Sequence, residues 1–152
     1  MEPRQWRSQR EEAQVNGFLL DTHAWLWAQI QDSRKVSATF FSDVESWQRQ
    51  ERVYISDISV LELARLDLEQ EVILGTSIDN FVAQAVADDG FRLLPLTTRI
   101  LIESTRLPGN IHRDPADRLL VSTAREHGLT LVTRDKPLLS YARQGHLNAR
   151  KP

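Results

Sequence analysis

Residues 18–27 read FLLDTHAWLW: three apolar residues, a carboxylate, then an apolar-rich segment holding two tryptophans. Phe18–Leu20 has the length and character of a buried strand, and Asp21 stands where that strand would end and a helix begin. Three more short runs have strand character: Val53–Ser56 (VYIS), Arg92–Leu96 (RLLPL) and Thr130–Thr133 (TLVT). Between them residues recur at helical spacing, at Val36, Phe40, Val44 and Trp47, at Ile58, Leu61, Arg65 and Leu68, and at Phe81, Ala85 and Asp88. Gly75, the DDG triplet at Asp88–Gly90 and the PGN triplet at Pro108–Asn110 supply turns. Strand and helix alternate, which predicts parallel βαβ units with right-handed crossovers. The expected fold is therefore α/β, with helices on both faces of a central, mainly parallel sheet of four to five strands.

A chain of 152 residues suffices for one hydrophobic core and is short for two. The first 14 residues, MEPRQWRSQREEAQ, are polar with Trp6 as their one large apolar side chain, and read as an extension to a domain spanning 15–152. Two readings of that extension stand side by side: a start placed too early, the true one overlying Val15, or a helix-forming arm that docks on the domain or on a partner. The hydrophobic fraction of 41%, the charged fraction of 26% and the mean hydropathy of -0.40 are those of a globular protein. No apolar stretch approaches the roughly 18 residues of a membrane span, and the N-terminus lacks a signal-peptide core. A cytoplasmic protein is expected. The absence of cysteine excludes disulfides, thiolate nucleophiles and zinc-thiolate sites. With a net charge of -2, any nucleic-acid surface must be a local one.

Acidic residues recur at one kind of place. Asp21 follows the first run, Glu62 lies in SDISVLELARL after VYIS, Asp114 and Asp117 lie in HRDPADRLLVSTA ahead of TLVT, and Asp135 follows TLVT directly. Each has a purely architectural explanation. Asp21 and Asp114 suit helix N-caps, Pro115 suits the first helical position, Asp117 suits the positive end of a helix dipole, and Asp135 suits a turn. Ser59–Glu62 fits a capping box. Collectively they say more, because in a parallel sheet the strand C-termini share one edge, where ligands bind. Carboxylates gathered there repel unless protons or a cation neutralise them. Oxygen donors in a chain without cysteine point to Mg²⁺ or Mn²⁺, and incompletely coordinated ions of that kind act on phosphates. Phosphodiester hydrolysis is the chemistry such a site would support.

In order and wording these motifs resemble PIN-domain ribonucleases, in particular the VapC-type toxins of bacterial toxin-antitoxin pairs. FLLDTHAWLW resembles the first motif of that family, SVLELA the second, HRDPADRLLVSTA the third and LTLVTRD the fourth, within residues 17 to about 143. The resemblance implies that Asp21, Glu62, Asp117 and Asp135 form an acidic metal site, with Asp114 as a lesser acid and Thr133 as a supporting hydroxyl. It further implies Mg²⁺- or Mn²⁺-dependent endonucleolytic cleavage of RNA, dimerisation, and neutralisation by a small antitoxin. Two features depart from the family: the long polar N-terminus, and a C-terminal ARQGHLNARKP without a clear last apolar strand.

His112, Arg113 and Arg134 flank the acids and are candidates for RNA phosphate contacts. Arg118, next to Asp117, is expected to brace carboxylates, and His23, with no nucleophile partner in view, to serve structure. Trp25 and Trp27 are two residues apart on one predicted helix and cannot share a face. Either one is left for an interface, or the helix is buried on both sides. Two other function classes share the α/β pattern. A phosphoacceptor receiver domain would need an acid pair near the first strand and a lysine ending its own strand, whereas Lys136 directly follows Asp135. A non-catalytic binding module could retain fold and metal without cleaving, and a solitary RNA-processing nuclease would lack an antitoxin reading frame beside it.

Overall fold

The computed structural model describes residues 17–152; the polar extension at 1–14 and Val15 lie outside them. Five strands, β1 (Phe18–Leu20), β2 (Val53–Ser56), β3 (Arg92–Leu94), β4 (Thr130–Val132) and β5 (Ala149–Arg150), form one sheet in the order β3-β2-β1-β4-β5. Every pairing is parallel, with Leu20 opposite both Ile55 and Val132. Parallel neighbours need crossovers, and α1 (Thr22–Ile30) and α2 (Phe40–Arg49) join β1 to β2. Helices α3 (Asp57–Leu68) and α4 (Ile78–Ala87) lead to β3, α5 (Thr98–Thr105) and α6 (Pro115–His127) to β4, and α7 (Lys136–Arg143) to β5.

Alternation along the central strands builds two cores. Leu20, Val53, Ile55 and Val132 face Trp25, Phe40, Val44, Trp47 and Phe81 from α1, α2 and α4. Leu19 and Leu131 face the other way, onto Leu120, Val121, Leu138 and Tyr141 from α6 and α7. The result is the expected α/β/α sandwich, in which a parallel sheet is covered on both faces. Chain entry into β1 requires Gly17: its φ is +129°, and a Cβ there would lie 2.4 Å from the Arg52 carbonyl oxygen. Thr130 N–H donates to Gly17 O at 3.0 Å, so the same glycine begins the β1–β4 ladder.

Several expectations change. The third strand stops at Leu94 and the fourth at Val132, and Val36 precedes α2 instead of joining it. The capping box at Ser59 does not form. Helix α3 begins earlier, capped by Ser56, whose Oγ accepts from Ile58 N–H at 3.2 Å, so Glu62 lies in the second turn and takes no part in the cap. The apolar period read through Leu61 and Leu68 marks the outer side of α3: these residues are 63% and 82% exposed, while Leu63 fills the core. Trp25 and Trp27 are both buried, Trp25 in the core beside Phe40 and Phe81 and Trp27 outside both core clusters. The doubtful fifth strand forms after all. Its two residues are held by backbone, with Leu131 N–H donating to Asn148 O and Thr133 N–H to Arg150 O, and by an ion pair from Arg150 to Asp43 at 3.1 Å. An edge strand secured in this way needs little apolar sequence. Helices α5 and α7 carry no counterpart among the sequence expectations.

Candidate active site

The strand order reverses at β1, whose neighbours β2 and β4 leave in opposite directions. A crevice opens at such a switch point, outside the strand C-termini. Here it is a cleft of about 480 Å³ lined by Asp21, Glu62, Asp117 and Asp135, together with Thr22, His23, Trp27, Lys35 and Arg134. The four acids drawn from four separated motifs therefore meet in one place.

Each acid is oriented by its own element. Asp21 caps α1, its Oδ1 accepting from Ala24 N–H at 2.8 Å, and its own N–H donates to Val132 O at 3.1 Å, tying the end of β1 to the end of β4. Burial pushes its pKa up, opposed by hydrogen bonds from Thr133 and from Ala24. Thr133, fully buried, also accepts from Asp135 N–H at 3.0 Å. One hydroxyl thus links two acids. Asp135 caps α7 by accepting from Leu138 N–H at 2.9 Å. Glu62 accepts from Thr22 Oγ1–H at 3.0 Å, which explains a threonine beside Asp21.

Asp117 lies in the first turn of α6, its side chain 22% exposed. Burial, reinforced by the negative charges of Asp114 and Asp135, pushes its pKa up to about 7. Asp114 itself stays outside the cleft as the α6 N-cap, accepting from Ala116 N–H at 2.9 Å; its architectural reading holds, and its charge reaches the site only through space. His112 Nε2 lies 3.2 Å from Asp117 Oδ2 and 3.9 Å from Asp135 Oδ2, close enough to belong to the site.

The cationic candidates divide. Arg134 lines the cleft and lies over Trp27, 5.9 Å from the ring centre. Arg113 is exposed and is not among the cleft-lining residues. Arg118 does not brace the carboxylates. Its guanidinium donates to the carbonyls of Ser104, Thr105 and Ile111 at 2.8, 3.3 and 3.4 Å, so it closes the C-terminal end of α5. Adjacent residues on a helix point about 100° apart, which sends Arg118 away from the side Asp117 faces. Lys35 is a site residue that the sequence does not mark: it ends a short 3₁₀ turn (Ser33–Lys35) and reaches the cleft beside Trp27, 5.7 Å from its ring centre. His23, exposed on the rim, stands at the site and not in the core.

Compared with known proteins, residues 18–144 match the PIN domain. The chain belongs to the PIN-domain family. This PIN domain is 29% identical over 123 residues to Ribonuclease VapC22 of Mycobacterium tuberculosis (strain ATCC 25618 / H37Rv), covering 81% of this chain and 90% of that one. Its fold is similar to VapBC2 from Rickettsia felis, solved bound to a promoter DNA fragment, with a TM-score of 0.64 at 15% identity over 88% of this chain and 97% of that one. It is also similar to DNA-bound VapBC from Salmonella typhimurium, with a TM-score of 0.62 at 16% identity over 89% and 97% of the two chains.

The PIN-domain residues suit a divalent cation. Hard oxygen donors converge on one cleft, burial and the neighbouring negative charges of Asp114 and Asp135 push the pKa of Asp117 up to about 7, and the nearby His112 Nε2 is buried with no hydrogen-bond partner among the described residues. Among the described residues no helix is long and apolar enough to cross a membrane.

Proposed function

We propose that this PIN domain is a metal-dependent endoribonuclease and the toxin of a toxin-antitoxin pair, with Asp21, Glu62, Asp117 and Asp135 as its metal-holding catalytic acids. The convergence of four carboxylates at the switch-point crevice carries this reading, and kinship with Ribonuclease VapC22 supports RNA as the substrate. Mg²⁺ or Mn²⁺ is the resident ion, and its chemistry there is to neutralise charge on the phosphodiester and to acidify a water. The protein's own contribution is placement. Asp21 and Asp135 are fixed by helix capping and by the shared Thr133, and Glu62 by Thr22, so the donors keep their positions without rearranging during reaction. Lys35 and Arg134, both on the rim, bind flanking phosphates, and Trp27 stiffens both side chains by stacking. A small basic rim beside an acidic centre reconciles an RNA substrate with a mildly acidic protein.

The partner half of the proposal draws on the VapBC assemblies and on an apolar surface. Leu61 and Leu68 lie seven residues apart on one face of α3, and Ile73 follows at 88% exposure. Such residues favour cover by a protein partner, an antitoxin or a second copy of the chain. Cytoplasmic action on cellular RNA belongs to the same reading.

The test uses purified full-length protein with total RNA, with Mg²⁺ or Mn²⁺ and with EDTA, beside Asp21→Asn and Asp117→Asn. Discrete fragments from the wild type in metal alone are expected. Cleavage that persists in either variant or in EDTA refutes the assigned site, and a folded, antitoxin-free wild type that cuts nothing favours a binding-only module.

A further inference from the structure

We propose that His112 is an imidazole ligand of the metal centre and tilts the site towards Mn²⁺ over Mg²⁺. The inference rests on the reading of the cleft as a metal site and extends it to a residue outside the four acids.

Three donor atoms carry it. A ligand atom each from His112, Asp117 and Asp135 lies within 4.8 Å of the others. Donors around one octahedral ion, each about 2.1 Å from it, stand about 3 Å apart when adjacent and about 4.2 Å apart when opposite. The 3.2 and 3.9 Å from His112 Nε2 to the two aspartates fall in that window. That nitrogen is buried and makes no hydrogen bond among the described residues. At 3.2 Å from a carboxylate the miss is one of direction, not distance. A buried nitrogen within 4 Å of two carboxylates, and hydrogen-bonded to neither, is disposed as a ligand.

The loop that carries His112 is held from both sides. Tyr141, buried in the α6–α7 core, donates its hydroxyl to Pro108 O at 2.6 Å. Gly109, at φ +70°, packs so closely on His146 that a Cβ would lie 2.6 Å from its Nε2. On the other side, Arg118 donates to Ile111 O and Asp114 caps α6. Pro108, Gly109 and Ile111 before His112 and Asp114 after it are thus held by contacts made outside the cleft. This gives Arg118 its role at the site: it positions the histidine loop. A surface phosphate contact would need no such bracing, whereas a metal ligand must be fixed to within a fraction of an ångström. Imidazole nitrogen is softer than carboxylate oxygen and favours a first-row transition ion over Mg²⁺.

The experiment strips the full-length protein of metal, titrates it with Mn²⁺ and with Mg²⁺ by calorimetry, and records electron spin-echo envelope modulation of the Mn²⁺ complex. Wild type is expected to show ¹⁴N coupling of a directly bound imidazole. His112→Gln is expected to lose that signal and about tenfold or more in Mn²⁺ affinity, with Mg²⁺ affinity changed less than about threefold. His23→Gln, altering the other imidazole on the cleft, should keep the signal. Bound Mn²⁺ without nitrogen coupling overturns the assignment and leaves the carboxylate centre intact, as does coupling lost in His23→Gln and kept in His112→Gln. Unchanged Mn²⁺ affinity in His112→Gln also overturns it. A wild type that takes up neither ion, or an Asp117→Asn variant that binds as well as wild type, refutes the metal site and the ligand together. The wild-type spectrum needs no variant, so a folding defect in His112→Gln cannot mask the answer.

Discussion

Replacing Asp117 by asparagine should make the metal-free protein more stable at pH 8. Asp117 ionises near pH 7 in the folded protein against an ordinary value of 3.8, because burial and the charges of Asp114 and Asp135 disfavour its anion. A folded pKa raised above the unfolded one means that the native state holds the proton more tightly. The associated stability is complete below about pH 4, declines as pH rises, and is gone above about pH 7. The gap between the two values sets a ceiling of about 4 kcal/mol. Solvent reaches the carboxylate, and loss of the His112 contact works in the opposite direction, so roughly 1–2 kcal/mol is the expected gain. For a domain of this size that raises Tm by about 2–8 °C. Calorimetric melting in EDTA at pH 4 and pH 8 should show wild type and Asp117→Asn nearly equal at the lower pH and the variant ahead at the higher one. Adding Mn²⁺ should then raise the wild type and leave the variant behind, since an ion that binds only the folded state stabilises it. An Asp117→Asn variant that melts at or below the wild type at pH 8 in EDTA would refute the crowded-carboxylate argument.

Other perturbations separate architecture from chemistry. Gly17→Ala meets both a positive φ and the Arg52 carbonyl at 2.4 Å, and should cost about 2–4 kcal/mol in urea unfolding; a change under about 0.5 kcal/mol would disprove the close approach. Arg118→Met removes a charged donor from three carbonyls and should lower stability by about 2–3 kcal/mol, whereas a carboxylate-bracing arginine would instead leave melting nearly unchanged and shift the ionisation of Asp117. Lys35→Gln combined with Arg134→Gln should weaken RNA binding and flatten its log-log salt dependence by about 0.7 per lost phosphate contact on single strands; an unchanged slope would remove both residues from the RNA surface.

Much of the architecture was open to inspection in the linear chain because it depends on short-range chemistry. Apolar runs of three or four residues between helical periods are what a parallel sheet covered on both faces requires, and β1, β2 and β4 formed where those runs lie. The caps at Asp21 and Asp114 were legible for the same reason: a side chain that accepts from an N–H two or three residues ahead is a local event. Asp135, which suits a turn by sequence, instead caps α7, a helix that no apolar period signals. The third strand was overextended to Leu96 because an apolar run does not mark where its backbone stops pairing. Helix α3 began ahead of its expected start because two serines three residues apart both suit a cap, and docking on the sheet chose Ser56.

By itself the sequence determined the α/β alternation, the absence of thiol chemistry, and the identity of the acids placed after strands. Those follow from composition and from neighbours within one helical turn. Only the tertiary structure decided which way side chains on the same element face and which distant segments meet. Leu61 and Leu68 turn outward, Arg118 turns to the end of α5 instead of the cleft, and β5 forms from backbone bonds its side chains do not advertise. Thr22 finds Glu62 forty residues away, Lys35 arrives at the cleft from a short 3₁₀ turn with no periodicity to betray it, and His112, which flanks the acids in sequence, comes within 3.2 Å of Asp117. Direction and long-range encounter are set by packing the whole sheet between its helices, and no local pattern encodes them.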